Sequence, residues 1–373
     1  MTGARVKFLA VLIGLALPVL FLGALEGVVR WRVSRIPERT VPSGRDYPIH
    51  YNNPGVVTSP KAFGYPVRYR INSLGLRGPE TTQAKGAARR VLFLGDSVVF
   101  GVLVRDDQTV AADLQRLLGG SWEVLNGGVI GYDAWDYAAF FREKGLALQP
   151  DVVVVGLFMN DHVTRSAYKK NMAVRSPPSR PLLARARELV LSSALVQALN
   201  YRLQWAQSPK RPLFSFRKPL SEADSRAIDS YFPGDPGTAA AVKDYLAVYR
   251  YEPNLLKDPL PWMLDVKVWQ GVRAPLGEIK RACDARGIKL LVAVFPTQYE
   301  VYPGWRWPEP HRAIARLLDE MRIPSVDLKP VFAANGGDEL YPMRYDYDHP
   351  NAKAYGLAAK AVADKIASLG WRK

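Results

Sequence analysis

A chain of 373 residues, 48% hydrophobic and 23% charged, holds enough material for one large domain with appendages and excludes the disordered, collagen-like and disulfide-scaffold classes. Lys and Arg outnumber Asp and Glu by 51 to 35, a formal charge of +16 that suits an anionic lipid surface or an acidic polymer. No helix-turn-helix, zinc-finger or RNP pattern is present, so no nucleic-acid partner is expected, and the lone Cys283 cannot form an internal disulfide.

The first element is apolar. Phe8 to Leu25 carries no charge, and the run continues past Glu26 to Val29, long enough at about 1.5 Å per residue to cross a hydrocarbon core of roughly 30 Å. Its length exceeds a signal-peptide core and it lacks a clear small-x-small cleavage site, so residues 1–36 are expected to be an uncleaved, single-pass transmembrane anchor in a lipid bilayer, with a cleaved signal as the alternative. Arg5 and Lys7 precede it and Arg30, Arg32 and Arg35 follow. Read literally, that asymmetry leaves the large domain in the cytoplasm. Residues 37–90, rich in Pro, Gly, Asn and Arg, read as an extended lead-in packing on the core, with Val67–Ile71 as a short strand candidate.

From Val91 the alternation is regular. Strands are expected at Val91–Gly95, Glu123–Leu125, Asp151–Leu157, Lys289–Phe295 and Ser325–Asp327, with helices at Thr109–Leu118, Ala134–Ala147, Ala274–Arg286, His311–Met321 and Ala352–Ala367. Continuous β-branched runs such as Val152–Val155 belong to strands covered on both faces, so the pattern gives an α/β, doubly wound, flavodoxin-like parallel sheet with right-handed crossovers. The core comprises 91–163 and 271–373, interrupted by a mainly helical insertion at 164–270 whose amphipathic stretch Leu182–Trp205 suits a lid or packing helix. Ligands of such sheets sit beyond the carboxyl ends of the strands, where Ser97, Asn126-Gly127-Gly128 and Asn160-Asp161 all fall.

Gly95-Asp96-Ser97 after a buried strand is how a serine hydroxyl is delivered into a cleft, and Asp346-Tyr-Asp-His349 offers a base with its orienting carboxylate. Taken alone, Gly-Asp-Ser is also ordinary helix-capping chemistry, and Asn160-Asp161 could cap the element after its strand. Asp348 competes with Asp346 as the orienter, but adjacent turn residues point in different directions. His162 reads as a wall or surface residue, and His50 and His311 show no partner pattern. No zinc spacing, phosphate loop or dinucleotide fingerprint occurs, so no cofactor and no metal are expected. Aromatics in Tyr299–Trp307, just past a strand end, could stack on sugar rings or pack in the core.

Together these blocks resemble the SGNH (GDSL-type) hydrolases over about Val91 to Asp161 and Ala274 to Ala367. Gly95 to Gly101 resembles the family's first block, Asn126 to Val129 its second, Phe158 to Asp161 its third and Asp346 to Pro350 its fifth, whereas Val99 and Phe158 depart from the Thr and Gly often found there. The resemblance implies Ser97 as nucleophile, His349 as base with Asp346, an oxyanion hole of Ser97, Gly128 and Asn160, and support from Asp96 and Asp161. It implies a serine esterase or acyl hydrolase on the exported side of the membrane. The substrate expected is an ester of a small molecule or glycan, with a short acyl group on a cell-envelope glycan suiting the anchor and the basic surface. An O-acyltransferase with the same triad, or a non-catalytic binding protein, are the alternatives.

Overall fold

The computed structural model describes residues 2–34, 40–42, 50–52, 57–58, 69–161, 222–232, 234–249, 266–305, 308–341 and 348–372. Five parallel strands form the core: β1 (Arg89–Gly95), β2 (Trp122–Gly128), β3 (Val152–Phe158), β4 (Lys289–Phe295) and β5 (Ser325–Asp327). Their spatial order is β2-β1-β3-β4-β5, the flavodoxin-like order expected from the sequence. Gly95 pairs with Gly128, Leu94 with Val155, Phe158 with Phe295 and Val294 with Asp327. Those pairings align the carboxyl ends on one edge.

Alternate residues of each strand feed opposite cores. Leu92, Leu94, Val153 and Val155 pack under α4 (Ala134–Glu143), α7 (Arg273–Asp284) and α8 (Glu309–Glu320). Val91, Phe93, Val152 and Val154 pack under α3 (Val110–Leu118), α9 (Lys329–Ala334) and α10 (Ala352–Ser368). Every residue of β3 is buried, as a strand covered on both faces requires. Thr109 caps α3 through Ala112 N–H, and Asn351 caps α10 through Ala354 N–H. Cys283 lies buried in α7, and burial pushes its thiol up to about 12, so it acts as a small apolar core residue.

Strand and helix ends differ from the sequence reading by a few residues, and the stretch expected as one helix to Ala147 breaks at Lys144 into a 3-10 turn, Gly145–Leu148. The sequence reading missed α9 and the four-residue α2 (Ser97–Phe100). In the lead-in, Tyr69–Arg70 pairs with Val57–Thr58, a shorter strand than Val67–Ile71. Arg77 N–H then bonds Asn126 O at 3.2 Å, fastening the lead-in to the outer edge of β2. Of the insertion, α5 (Glu222–Tyr231) and α6 (Pro236–Tyr249) are helical, whereas Leu182–Trp205 lies outside the described residues.

The N-terminal segment is one helix, α1 (Thr2–Ser34). Among the described residues no helix is long and apolar enough to cross a membrane. The apolar run begins at Phe8, ahead of Gly14 where the described side chains start, so the expected span lies partly outside them. What is described is apolar and exposed: apart from Leu117, all the exposed large hydrophobic side chains, Leu17, Phe21 and Leu25 among them, sit on α1.

Candidate active site

β1 ends at Gly95, and the chain turns at once into α2, so Ser97 is the first helical residue at the carboxyl edge. Asp96 caps the helix: its Oδ1 accepts Val98 N–H at 2.8 Å, while Ser97 Oγ lies 3.4 Å from its Oδ2. This is the capping role open to Gly-Asp-Ser, and it coexists with a serine presented at the strand end. The turn sits close on its neighbour strand. A methyl group at Gly128 would fall 2.3 Å from Phe100 N, a clash with backbone that cannot swing aside, so only glycine lets α2 approach β2 this closely.

Asp96 is where the distant segments meet. Burial raises its pKa, opposed by the Val98 N–H, by the charge of His349 and by hydrogen bonds with the Asn160 and Ser97 side chains. Ser97, Asn160 and His349, from the ends of β1 and β3 and from the approach to α10, therefore surround one buried carboxyl group. Ser97 and His349 are buried; Asn160 is exposed. Two residues past His349, Asn351 ties the chain down, its N–H bonding Leu340 O at 2.7 Å and its side chain bonding Glu339 O at 3.1 Å. That anchor fixes where the imidazole sits.

Asp161 turns inward. Its Oδ1 accepts the Tyr137 hydroxyl at 2.6 Å and its Oδ2 accepts Phe158 N–H at 2.7 Å, with burial and the Asp96 charge pushing its carboxyl well above the usual range. It locks the end of β3, and so places Asn160. Asp346 and His162 lie outside the described residues; Asp348 is half-buried beside His349. His50 contributes its backbone to a short antiparallel pair with Thr40–Pro42.

The oxyanion expectation at Gly128 needs correction. Its N–H is donated to Asn126 Oδ1 at 3.0 Å and its carbonyl accepts Asn52 Nδ2 at 3.0 Å, so its backbone is already engaged. Farther along the turn, Gly131 is exposed, with φ +82° and open space around its Cα, and its N–H has no hydrogen bond among the described residues. The sequence offered both glycines. What it could not show was that Asn126 folds back two residues to take the Gly128 donor.

His311 also departs from the reading of a histidine without partners. Its Nδ1 is 2.8 Å from Asp327 Oδ1 and its Nε2 is 3.3 Å from the buried Glu300 Oε1. Burial alone would lower its pKa, but Glu300 and Asp327 together carry it up to about 9, with Lys329 and Arg312 the other charges at this cluster. The folded value lies above the unfolded ~6.5, so the stabilisation is complete below about pH 6.5 and is lost as pH rises through 9. Urea midpoints should therefore fall between those limits by the equivalent of up to ~3 kcal/mol, and His311→Gln should flatten that slope. A wild-type midpoint level across the window would refute the assignment.

Tyr299 and Trp305 pack inward, with Trp305 edge-on to Phe232, so these two aromatics serve the core; Trp307 lies outside the described residues. Among the described residues no group of three His, Cys, Asp or Glu side chains is arranged to hold a metal ion.

No family model and no curated protein matches the chain. Solved structures similar to it include a carbohydrate acetylesterase from Sinorhizobium meliloti (14% identity, 75% of this chain and 99% of that one, TM-score 0.38). A catalytic mutant of an acetylxylan esterase from Geobacillus stearothermophilus aligns at 15% identity over 76% of this chain and 95% of its own, TM-score 0.40. A G-D-S-L family lipolytic protein from Desulfitobacterium hafniense aligns at 15% identity over 74% and 98%, TM-score 0.37. At such identities and TM-scores the likeness says nothing about chemistry, which has to come from the residues themselves.

Proposed function

We propose that the chain is a membrane-anchored serine esterase of SGNH type that removes a short acyl group from a cell-envelope glycan. The observation that supports it most is the convergence of Ser97, Asn160 and His349 on Asp96, at the sheet edge where α/β enzymes carry their ligands. His349 takes the proton from Ser97 Oγ as that oxygen bonds the ester carbonyl carbon, and Asp346 fixes the imidazole tautomer. The oxyanion is held by Ser97 N–H, at the start of α2, by the Asn160 amide and, in place of Gly128, by Gly131 N–H. Collapse expels the sugar alcohol, which receives the proton from His349. Water, deprotonated by the same imidazole, then releases the carboxylic acid from Ser97.

The anchor is α1. A helix that shows large apolar side chains to its surroundings, uncovered by any of the described residues, suits a lipid phase. We place the catalytic domain on the exported side, against the literal charge asymmetry, because an envelope glycan is met there.

One experiment tests chemistry and sidedness together. A charged, membrane-impermeant fluorophosphonate is added to cells with a permeabilised outer envelope and to lysed membranes, with the full chain and its Ser97→Ala variant. Labelling of the full chain alone in both samples is expected; labelling only after lysis would reverse the orientation. Asn160→Ala should lower turnover of p-nitrophenyl acetate about 100- to 1,000-fold. No labelling and no turnover would end the esterase reading, and acyl transfer to added glycan in place of acid release would make the enzyme a transferase.

A further inference from the structure

A cavity lies on the same edge of the sheet as Ser97. It encloses about 650 Å³ between the loop after β4, α8, the end of β5 and α9. β5 is three strand spacings from β1, about 14 Å at ~4.8 Å each, so the cavity is beside the serine and separate from it. Its volume is that of a small-ligand site.

The floor is polar and electrically balanced. Glu300 is buried, with Oε2 taken by Thr297 N–H at 2.8 Å and Thr297 Oγ1 at 3.0 Å. Its Oε1 pairs with His311 Nε2 at 3.3 Å, whereas the buried Nε1 of Trp305, which lines the cavity, has no hydrogen-bond partner among the described residues. A buried donor left in this way is costly, and it marks a place where a ligand or water completes the set. Asp327 is the accessible member, its side chain 41% exposed, with one oxygen fixed by His311 and by Lys329 N–H. Two carboxylates, Glu300 and Asp327, stand against two cations, His311 and Lys329, and Arg312 at the rim is spent on Glu309 at 3.1 Å. A phosphate or a free cation gains little from such a balance. A hydroxyl, donor and acceptor at once, is what mixed carboxylate and N–H groups can bind, and Tyr302, Pro303 and Pro330, half-buried or exposed, supply apolar wall for a ring face.

We infer that this cavity is a glycan subsite, taking an uncharged sugar ring of the substrate chain a few units from the one whose ester Ser97 attacks. Its assignment to the substrate rests on the esterase reading, whereas its capacity to bind a neutral sugar does not. Such a subsite makes the enzyme prefer an acylated polymer over an acylated monosaccharide.

Ala333 on α9 and Ala315 on α8 are exposed and line the cavity, so Ala333→Trp and Ala315→Trp fill it without entering the buried cluster. The full-length Ser97→Ala chain is titrated with xylohexaose, mannohexaose and chitohexaose by calorimetry, alone and with each filling change, and thermal midpoints check folding. Saturable binding of at least one hexamer is expected, weakened about tenfold or more by a filled cavity at an unchanged midpoint. No saturation by any of the three, or an affinity in both filled variants unchanged from that of the Ser97→Ala chain, would overturn the inference. Fluorophosphonate labelling without hexamer binding removes the subsite and leaves the esterase; hexamer binding by a protein inert at Ser97 does the reverse.

Discussion

Replacing His349 by alanine should lower kcat on an activated acetyl ester by on the order of a millionfold while leaving KM little changed, since the base acts only on the way to the transition state. His349 is buried within the field of Asp96, the carboxyl group that Ser97 Oγ also faces at 3.4 Å, and the figure is the usual cost of losing such a base. Ser97→Ala should match it, and the double variant should be no worse than either, because nucleophile and base work as one unit. The orienter is separable from the base. Asp346→Asn should cost about 10⁴-fold by presenting the wrong tautomer, whereas Asp348→Asn should cost little. The reverse pattern would move the role to Asp348, and a His349→Ala enzyme within tenfold of wild type would remove His349 from the chemistry.

Which features the sequence disclosed depended on the range of the interaction. β-branched runs and their spacing disclosed the five strands, because a strand buried on both faces must be apolar along its whole length. Asp96, Ser97 and Asn160 could be placed at the edge because each comes within a few residues of the end of such a run. Glu300, His311 and Asp327 are 11 and 16 residues apart and meet only because β4 and β5 are neighbours in the sheet. No periodicity records that. Gly128 was misassigned for a different reason: a two-residue fold-back by Asn126 decides which amide remains for a ligand, and glycine spacing cannot encode it. The lead-in looked like connecting chain because much of its work is done by single side chains, Arg77 and Asn52 among them, against backbone atoms more than twenty residues away.

The Arg77 side chain carries the largest expected effect on stability. Arg77 is buried, stacked over Tyr69 at 4.3 Å and over Phe100 at 4.9 Å, with Nε 3.0 Å from Asp106. Its Nη1 donates to the carbonyls of Phe100 and Gly101 at 2.5 Å and its Nη2 to Val104 O at 2.6 Å; Asn126 Nδ2 takes Val99 O at 2.9 Å. Four carbonyls in and just beyond α2 are thus held by one guanidinium and one amide, and the helix so fixed begins with Ser97. Burial lowers the Arg77 pKa and Asp106 opposes it, yet an arginine stays charged at any working pH. Arg77→Met would take the guanidinium from three carbonyls, of which Gly101 O keeps Val104 N–H at 3.2 Å, and leave Asp106 without this cation, a loss of about 3–5 kcal/mol by the measure of broken buried pairs. Arg77→Lys should recover little, because an ammonium keeps the charge but cannot fork across three acceptors while lying flat on two rings. In both variants the urea midpoint should fall at constant slope, and the surviving folded fraction should label with fluorophosphonate more slowly, because the serine turn has lost its anchor. If Arg77→Lys stays within about 0.5 kcal/mol of wild type, the fork is not what holds the turn, and the ion pair with Asp106 alone would have to suffice.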